Sequence, residues 1–314
     1  MGKILIIRGG ALGDFILTLP SIQLIRDTLP DAQIEILGYP NVATLAESAG
    51  LADASRSIEY GPLSLFFVPG ASLPDDLVDY FQSFAVVISY LYDPDGYFES
   101  NVRKAGVDTY LRGPYRIDES TSPAVPASVQ LARPLEQLAL FLENPAVTLS
   151  LPADESHTKT NRRTIAIHPG SGSPSKNWSF EAWIDIVSRI QEASAEPLHF
   201  LIVSGEAETG IIDQFLEMFS GTGLSHFHLQ NATLPDLATH LSRADLFLGH
   251  DTGVSHLAAA CDIPCVLLFG PTNPAVWAPQ NSNVEVIQSE SGSLAGVNSD
   301  TVLERVRELV HTLK

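Results

Sequence analysis

Small, acidic and hydroxyl residues stand together at residues 249–260, where an apolar strand-like run gives way to a helical pattern. Residues 244–248 are apolar enough for a buried strand, and residues 257–261 are typical of a helix that packs through alanines. The first N–H groups of a helix have no internal partners and carry the positive end of its dipole, so they bind phosphate. The segment predicts an anion-binding turn, and Asp251 or Ser255 acting as a simple helix cap is the alternative interpretation.

A second turn with this chemistry spans residues 168–178, between a strand-like run and a helical pattern that begins near Phe180. Its glycines and serines permit close approach of the backbone to a ligand, and Lys176 supplies a positive charge. A cation in such a place neutralises the charge that grows on a diphosphate as a glycosidic bond breaks. The segment therefore suits a diphosphate leaving group, with an ordinary surface loop as the alternative.

The first strand-to-helix turn, residues 7–15, is also rich in glycine. Its glycine spacing does not fit G-x-G-x-x-G, and Asp14 would repel the pyrophosphate of a dinucleotide. We instead expect Asp14 to be a general base, its ionised form stabilised by the helix N-terminus and by nearby Arg8. A helix cap is the alternative role for Asp14.

A repeating strand-and-helix scaffold is needed to position these turns, and the sequence predicts one. The strand-like runs are residues 4–7, 33–37, 85–90, 164–167, 198–204, 245–248 and 265–269, and the helical patterns include residues 15–29, 129–142, 180–193 and 234–243. Continuous Val, Ile and Leu runs are typical of parallel strands that are covered on both faces. The pattern predicts an α/β protein with two doubly wound sheets.

Residues 151–161 form a polar stretch between a helical pattern and the next buried strand, as a domain boundary does. The predicted domains are therefore residues 1–155 and 156–314. A hinge is expected in that stretch. Two Pro-rich segments, residues 61–74 and 121–126, are expected to be long loops that serve binding rather than packing.

Composition limits the partners of this chain. Its 314 residues, 45% of them hydrophobic, are enough for two cores, and 37 acidic against 18 basic residues give a net charge of -19. That charge argues against nucleic acid as a partner and weakens attraction to a membrane surface. Without a signal peptide or a membrane-length apolar run, we expect a cytoplasmic protein with at most local peripheral contact with the inner membrane.

Metal ligation is not expected from the sequence. Asp93 and Asp95 have D-x-D spacing, but Pro94 and Gly96 favour a turn there. His226 and His228 share a strand face without an evident third ligand, and Cys261 and Cys265 lack the further Cys or His of a zinc site. We predict no metal and no cofactor. Trp178, Trp183 and Trp277 are candidates to stack on a sugar or base, with core packing favoured for Trp183.

Three motifs occur in one order along the chain: Gly13-Asp14, then Pro169-Gly170-Ser171 with Lys176-Asn177-Trp178, then the segment from Asp251 to His256, followed by Phe269-Gly270-Pro271-Thr272. In this combination the chain resembles the heptosyltransferases, glycosyltransferase family 9, over nearly its whole length. The resemblance implies a GT-B fold, with two Rossmann-like domains facing a cleft. It also implies that the N-terminal half holds the acceptor and the C-terminal half holds a nucleotide-activated sugar.

The same resemblance assigns roles to individual residues. Asp14 would take a proton from the acceptor hydroxyl, and Lys176 with the backbone of Thr252 and Gly253 would stabilise the departing diphosphate. The remaining donor contacts would come from Ser171, Asp251, Ser255 and His256, with either Glu206 or Glu208 on the ribose. The candidate acceptor contacts are Arg8, Gly13 and Arg56, with Arg103, Arg112 and Arg116 as further local candidates.

The implied function is metal-independent, inverting transfer of a heptose-like sugar from an ADP-sugar to a lipopolysaccharide core or related surface glycan. Residues 1–155 fit a strongly anionic acceptor poorly, because they hold nine basic and twenty acidic side chains. A non-catalytic nucleotide-sugar binder is the second hypothesis, because Leu17 stands where a histidine often follows the acid and Gly9-Gly10-Ala11 replaces a hydroxyl-rich turn. An NAD-dependent oxidoreductase, suggested by the first turn and Glu35, is disfavoured by Asp14.

Overall fold

The computed structural model describes residues 2–151 and 162–312, and the chain forms two compact units, Met1–Val147 and Thr148–Lys314. The predicted boundary at residue 155 lies outside the described residues, as does the expected hinge apart from Leu151. Each unit has its own parallel sheet, which confirms the prediction of two doubly wound α/β domains.

The first unit is built on a five-stranded sheet with the strand order β3-β2-β1-β4-β5. Its strands are β1 (Lys3–Arg8), β2 (Gln33–Gly38), β3 (Ala54–Ser57), β4 (Phe84–Ser89) and β5 (Thr109–Arg112). Its helices are α1 (Leu12–Ile16), α2 (Leu19–Thr28), α3 (Pro40–Ser48), α4 (Asp75–Gln82), α5 (Tyr97–Lys104) and α6 (Ala127–Ala132), with 3-10 helices at Gly61–Phe67 and Arg133–Leu138. The first strand of the chain therefore lies at the centre of the sheet.

The pairing register sets which turns are neighbours. Arg8 at the end of β1 lies opposite Gly38 in β2, and Gly38 lies opposite Ser57 in β3. On the other side of β1, Ile7 lies opposite Ser89 in β4. Because all these pairs are parallel, the turns that follow the strands open at the same edge of the sheet.

Aromatic side chains fill much of the first core. Phe66, Phe81 and Phe98 are fully buried, and the rings of Phe66 and Phe81 lie 4.7 Å apart. Phe66 and the buried Leu63 belong to the 3-10 helix Gly61–Phe67. The expectation that this Pro-rich segment serves binding rather than packing is therefore wrong for Phe66.

Two predicted helices are interrupted by proline. The pattern at residues 15–29 forms two helices, α1 and α2, because Pro20 has no N–H to donate to the carbonyl of Ile16. The pattern at residues 129–142 is helical only to Ala132 and continues as a 3-10 helix, because Pro134 likewise cannot donate. The expectation of one continuous helix is wrong in both places.

The second unit is built on a six-stranded sheet with the order β11-β10-β9-β6-β7-β8, the arrangement of doubly wound nucleotide-binding folds. Its strands are β6 (Thr164–His168), β7 (His199–Ser204), β8 (His226–Gln230), β9 (Leu246–His250), β10 (Cys265–Phe269) and β11 (Val284–Gln288). Its helices are α7 (Phe180–Ala193), α8 (Ile212–Ser220), α9 (Leu234–Leu241), α10 (Gly253–Ala260), α11 (Pro274–Trp277) and α12 (Ser299–Thr312), with 3-10 helices at Pro174–Lys176, Glu206–Glu208 and Leu294–Gly296.

Hydrophobic side chains on one face of the second sheet pack with those of α7, α8 and α12 in a single core cluster. Trp183, Phe200, Phe215 and Phe219 are fully buried there. Helix α7 supplies Trp183 and begins after Ser179, whose side chain accepts a hydrogen bond from the N–H of Ala182. No helix in the described ranges is long and apolar enough to cross a bilayer.

The first core offers a direct test of this packing. Phe81→Ala removes a fully buried ring and leaves a cavity, so we expect the first unit to lose about 3–5 kcal/mol of unfolding free energy. The matched control is Phe141→Ala, because Phe141 is 63% exposed. Urea unfolding followed by circular dichroism measures the loss, while tryptophan fluorescence reports the second unit, which holds all three tryptophans. Equal stability of the two variants would contradict the assigned core.

Candidate functional site

Asp14 lies in the first turn of α1, directly after the central strand of the first sheet. Its Oδ2 accepts a hydrogen bond from the N–H of Ala11 at 3.1 Å, and its Oδ1 lies 3.5 Å from Nη2 of Arg8. The side chain is 39% exposed, so the hydroxyl group of a ligand can approach it from the solvent side. The carboxylate thus closes the start of the helix and also stays accessible, and its role as a base remains a prediction.

Arg8 lies beneath this carboxylate and is only 6% exposed. Its Nη2 donates to the backbone carbonyl of Asp14 at 3.1 Å, and its guanidinium carbon lies 5.4 Å from the ring centre of Tyr90. Burial lowers the pKa of Arg8, although Asp14 and Tyr90 act in the opposite direction. Arg8 therefore supports Asp14 from the interior, and its predicted contact with an acceptor remains untested.

Gly10 makes the folded-back carboxylate possible. Its φ of 102° is in the left-handed region that favours glycine, and a Cβ there would lie 2.8 Å from Oδ2 of Asp14. Gly13, a predicted acceptor contact, follows within α1 and is partly buried. The pair Gly9-Gly10 in the sequence indicates such a turn, because glycine is the residue that most readily adopts a left-handed backbone conformation.

The other arginines predicted to contact an acceptor already have partners in the first unit. The guanidinium carbon of Arg56 lies 4.4 Å from the ring centre of Tyr80 and 5.1 Å from that of Tyr60. Arg103 and Arg112 both form ion pairs with Glu99, at 3.0 and 2.8 Å. A further arginine, Arg116, lies over the ring of Tyr115 at 5.7 Å. Each of these four arginines therefore has a partner within the first unit.

Lys176 and Asp251 form the central ion pair of the second unit. Nζ of Lys176 donates to Oδ2 of Asp251 at 2.7 Å, and the hydroxyl of Thr272 donates to the same oxygen at 2.7 Å. The three residues follow β6, β9 and β10, which are neighbours in the sheet. Asp251 is 9% exposed and Lys176 is 30% exposed, so the ammonium is the accessible partner.

The N-terminus of α10 begins beside this pair. Thr252 is its cap, with a hydroxyl that accepts from the N–H of Ser255, so the alternative of Asp251 or Ser255 as the cap is wrong. Ser255 is buried and donates its own hydroxyl to the carbonyl of His250. The N–H groups of Gly253 and Val254 belong to the first turn, where a helix offers no acceptor.

A fully buried histidine that the sequence analysis did not select connects the two turns of this unit. Nε2 of His250 accepts from the N–H of Trp178 at 3.0 Å, and its Nδ1 faces the carbonyl of Gly170 at 3.5 Å. This geometry places the single ring proton on Nδ1. Burial lowers the pKa of His250 to about 3, and the electrostatic effect of nearby His168 acts in the same direction. The signal in the sequence is a histidine at the end of an otherwise apolar strand.

Glu206 and Glu208 occupy different environments. Glu208 is buried, and its Oε2 accepts from the N–H of Gly205 at 2.7 Å and lies 3.6 Å from Nε2 of His168. Burial acts to raise the pKa of Glu208, but His168 and backbone N–H groups lower it overall. A Cβ on Gly170 would overlap the Glu208 side chain, so this position requires a residue without a side chain. Glu206, in contrast, is exposed.

Ser171 and His256, two further predicted donor contacts, are buried as well. The hydroxyl of Ser171 lies 2.6 Å from Oδ1 of Asn177 and 2.8 Å from the carbonyl of Ser173, so it organises its own loop. His256 lies within α10. Direct contact of these side chains with a donor remains a prediction.

Trp178 and Trp183 pack against each other, and two of the candidate metal ligands, His228 and Asp93, have hydrogen-bond partners. Trp178 and Trp183 are buried with ring centres 5.4 Å apart, whereas Trp277 is partly buried. Nε2 of His228 lies 2.8 Å from the hydroxyl of Ser204, and Asp93 accepts backbone N–H bonds at the start of α5. Within residues 2–151 and 162–312, no group of three or more His, Cys, Asp or Glu is arranged to hold a metal.

Comparison with known proteins identifies relatives of this chain. Residues 102–306 match the family model of glycosyltransferase family 9 (heptosyltransferase). The chain is 22% identical over 302 residues to lipopolysaccharide heptosyltransferase 3 of Escherichia coli, covering 87% of this chain and 84% of the relative. It is 35% identical over 81 residues to lipopolysaccharide heptosyltransferase 1 of Escherichia coli strain K12, a segment that spans 26% of this chain and 25% of that relative.

A solved structure, that of E. coli ADP-heptose lps heptosyltransferase II, is similar over 99% of both chains. The TM-score is 0.74 at 16% sequence identity. This likeness shows the GT-B fold, as the sequence resemblance implies.

Burial of neutral His250 predicts a specific dependence of stability on pH. Between about pH 6.5 and 3 the unfolded chain binds a proton at this histidine that the folded chain excludes, so acid removes up to about 1.4 kcal/mol of stability per pH unit. We expect His250→Gln to be less stable at neutral pH but to have a shallower loss between about pH 6.5 and 5. Urea unfolding followed by tryptophan fluorescence measures both slopes.

The matched control for this slope is His226→Gln on the edge strand β8, which leaves His250 in place and keeps the steeper loss. An unchanged slope in His250→Gln would contradict the assignment of this histidine as a buried neutral group.

Proposed function

This chain belongs to glycosyltransferase family 9, the heptosyltransferase family, and from that premise we propose that it transfers a heptose-like sugar from an ADP-sugar to a lipopolysaccharide core or related surface glycan. The names of its relatives support both the sugar and the class of acceptor, and one structural neighbour is named for ADP-heptose. The observation that carries the proposal is the ion pair of Lys176 and Asp251 beside the N-terminus of α10.

The donor diphosphate is proposed to bind at this N-terminus. An ammonium group has three donors, and Asp251 uses one of those on Lys176, so two remain for phosphate oxygens. The first-turn N–H groups of Gly253 and Val254 add further donors and the positive end of the helix dipole. Together they would stabilise the negative charge that develops on ADP as it leaves.

The acceptor is proposed to be activated by Asp14. Its carboxylate would take the proton of an acceptor hydroxyl while that oxygen forms a bond to the anomeric carbon of the donor. The bond from this carbon to the diphosphate oxygen breaks in the same displacement, and its electron pair leaves with ADP. Attack from the side opposite the leaving group inverts the configuration. Nη2 of Arg8, 3.5 Å from Oδ1 of Asp14, places a positive charge beside this carboxylate.

We assign the ribose contact to Glu206 rather than Glu208. The carboxylate of Glu206 is exposed after the end of β7, whereas Glu208 is buried and already accepts from the N–H of Gly205. The proposed reaction needs no metal, because Lys176 and the helix N-terminus supply the positive charge. If the reaction needs no metal, a chelator must leave the rate of transfer unchanged.

Two other hypotheses are separated from this proposal by simple observations. A non-catalytic binder of the same fold would bind ADP without turnover. An NAD-dependent oxidoreductase is disfavoured by the family membership, and Glu35, which helped to suggest that hypothesis, accepts a hydrogen bond from the Tyr80 hydroxyl at 2.8 Å.

Asp14→Asn tests the proposed base. We expect transfer to fall by about 10²- to 10⁴-fold, because the amide cannot take the proton, while the affinity for ADP changes less than about twofold. Transfer is measured with ADP-heptose and lipopolysaccharide core oligosaccharides, and ADP binding by calorimetry. The control is Asp27→Asn on the exposed face of α2. Normal transfer by Asp14→Asn would refute the assignment.

Lys176→Ala tests the donor site. We expect ADP to bind about tenfold or more weakly and transfer to fall at least as far, since a charge-assisted contact is lost. The variant also leaves Asp251 without its cation, so Lys176→Ala combined with Asp251→Asn separates this electrostatic cost from ligand binding. The control is Lys104→Ala in the first unit. Undiminished ADP affinity in both Lys176 variants would contradict the proposed site.

A further inference from the structure

A pocket of about 300 Å³ lies within the first unit and has no role in the reaction as proposed above. Its apolar lining comes from Leu37, Ile58, Leu63, Phe67, Leu91 and Phe98. These side chains belong to the end of β2, the segments after β3 and β4, the 3-10 helix Gly61–Phe67 and the start of α5. The volume is at the lower end of the range for small-molecule sites in proteins.

The pocket lies at the same edge of the sheet as Asp14. Leu37 is opposite Ile7 in the register of β2 and β1, one residue before Arg8 at the end of β1. A Cβ built on Gly9, in the turn that carries Asp14, would lie 3.9 Å from Cδ1 of Ile58, which lines the pocket. A molecule seated in the pocket therefore lies next to the turn of the proposed base.

The pocket is unsuited to an anion. Glu59 is the charged side chain in its lining, and no lysine or arginine lines it. The hydroxyl of Tyr60, another lining residue, lies 3.3 Å from a carboxylate oxygen of Asp76, which adds a second negative charge nearby. Arg56 lies over the ring of Tyr60, which lines the pocket, at 5.1 Å, and over the ring of Tyr80 at 4.4 Å. Carboxylate or phosphate groups would be repelled here.

Apolar surface remains open to water at the pocket. Phe67 is 41% exposed and Tyr60 is 39% exposed, although both rings line it. A ligand that covers this surface with hydrocarbon removes it from water, which is favourable. An apolar lining that contains no lysine or arginine offers a ligand this hydrophobic contact rather than an ion pair. The occupant that fits this chemistry is an uncharged aryl ring or short alkyl chain.

We propose that this pocket binds an uncharged hydrocarbon group of the acceptor, attached to the sugar whose hydroxyl reaches Asp14. The inference rests on the proposed function, because it assumes that the first unit holds the acceptor. It narrows the acceptor class to glycans or glycosides that carry an apolar substituent beside the reacting sugar.

Calorimetric titration of the full chain with methyl, butyl and hexyl β-D-glucoside, without a donor, tests the pocket. We expect the Kd to fall about two- to fourfold for each added methylene, as hydrocarbon leaves water. Hexyl β-D-glucuronide, which adds a carboxylate to the same chain, is expected to bind more weakly, with a difference that shrinks at high salt. Equal affinity for all three glucosides would overturn the proposal. Equal affinity for hexyl β-D-glucuronide and hexyl β-D-glucoside would overturn the argument that the pocket repels anions.

Two matched variants locate the binding. Ser64→Trp places a large ring at a residue that lines the pocket, and Ser83→Trp places the same ring elsewhere. Each serine is exposed and donates its hydroxyl to the carbonyl three residues earlier at 2.7 Å, so both variants lose the same hydrogen bond. We expect Ser64→Trp to remove the preference for hexyl over methyl glucoside and Ser83→Trp to keep it. The opposite pattern, or retention in both, would overturn the proposal.

ADP titration of the same samples keeps the two proposals separate. Bound ADP without a chain-length preference would mean that the pocket inference fails while the donor site stands. A chain-length preference without ADP binding would mean that the pocket exists and the proposed transferase function fails. Circular dichroism of Ser64→Trp confirms that a lost preference does not come from unfolding.

Discussion

In both sheets each strand pairs with its neighbours in parallel, so each turn that follows a strand opens at the same edge of its sheet. The chain must cross back over the sheet between strands, and the crossing helices cover the apolar faces. Polar side chains are then accommodated where strands end. Lys176, Asp251 and Thr272 follow three adjacent strands and meet for this reason, although 96 positions separate the first from the last.

Electrostatics and burial hold the second unit's turns in one arrangement. Asp251 is nearly buried and needs the ammonium of Lys176 and the hydroxyl of Thr272, because an unpaired carboxylate there would be costly. His250, buried and neutral, accepts from the backbone of the loop that carries Lys176. The contacts that hold this fold together therefore also position the groups proposed to bind the diphosphate.

Several arginines of the first unit already have partners within that unit. Arg8 is buried and forms an ion pair with Asp14, and Glu99 forms ion pairs with both Arg103 and Arg112. An apolar pocket at the edge that carries Asp14 offers hydrophobic contact in place of charge. This distribution connects the acidic composition of the chain to the kind of acceptor that its first unit is proposed to hold.

Much of the architecture follows from local patterns. The central strands and α7 were predictable because continuous apolar runs and helical spacing mark buried elements directly. The strands β3, β5 and β11 were missed because edge strands are covered less fully and carry no such run. The motif order also predicted the family and the GT-B fold, which the comparisons confirm.

By itself, the sequence determined the two doubly wound domains, the three glycine-rich or hydroxyl-rich turns and the residue types within them. Only the tertiary structure decided which polar groups are already engaged: Glu208 but not Glu206 is buried, Arg8 lies under Asp14, and Leu63 and Phe66 turn a Pro-rich segment into core. The physical reason is that periodicity and turn chemistry act between near neighbours in the chain. Burial and pairing, such as the bond from Trp178 to His250, depend on residues that only folding brings together.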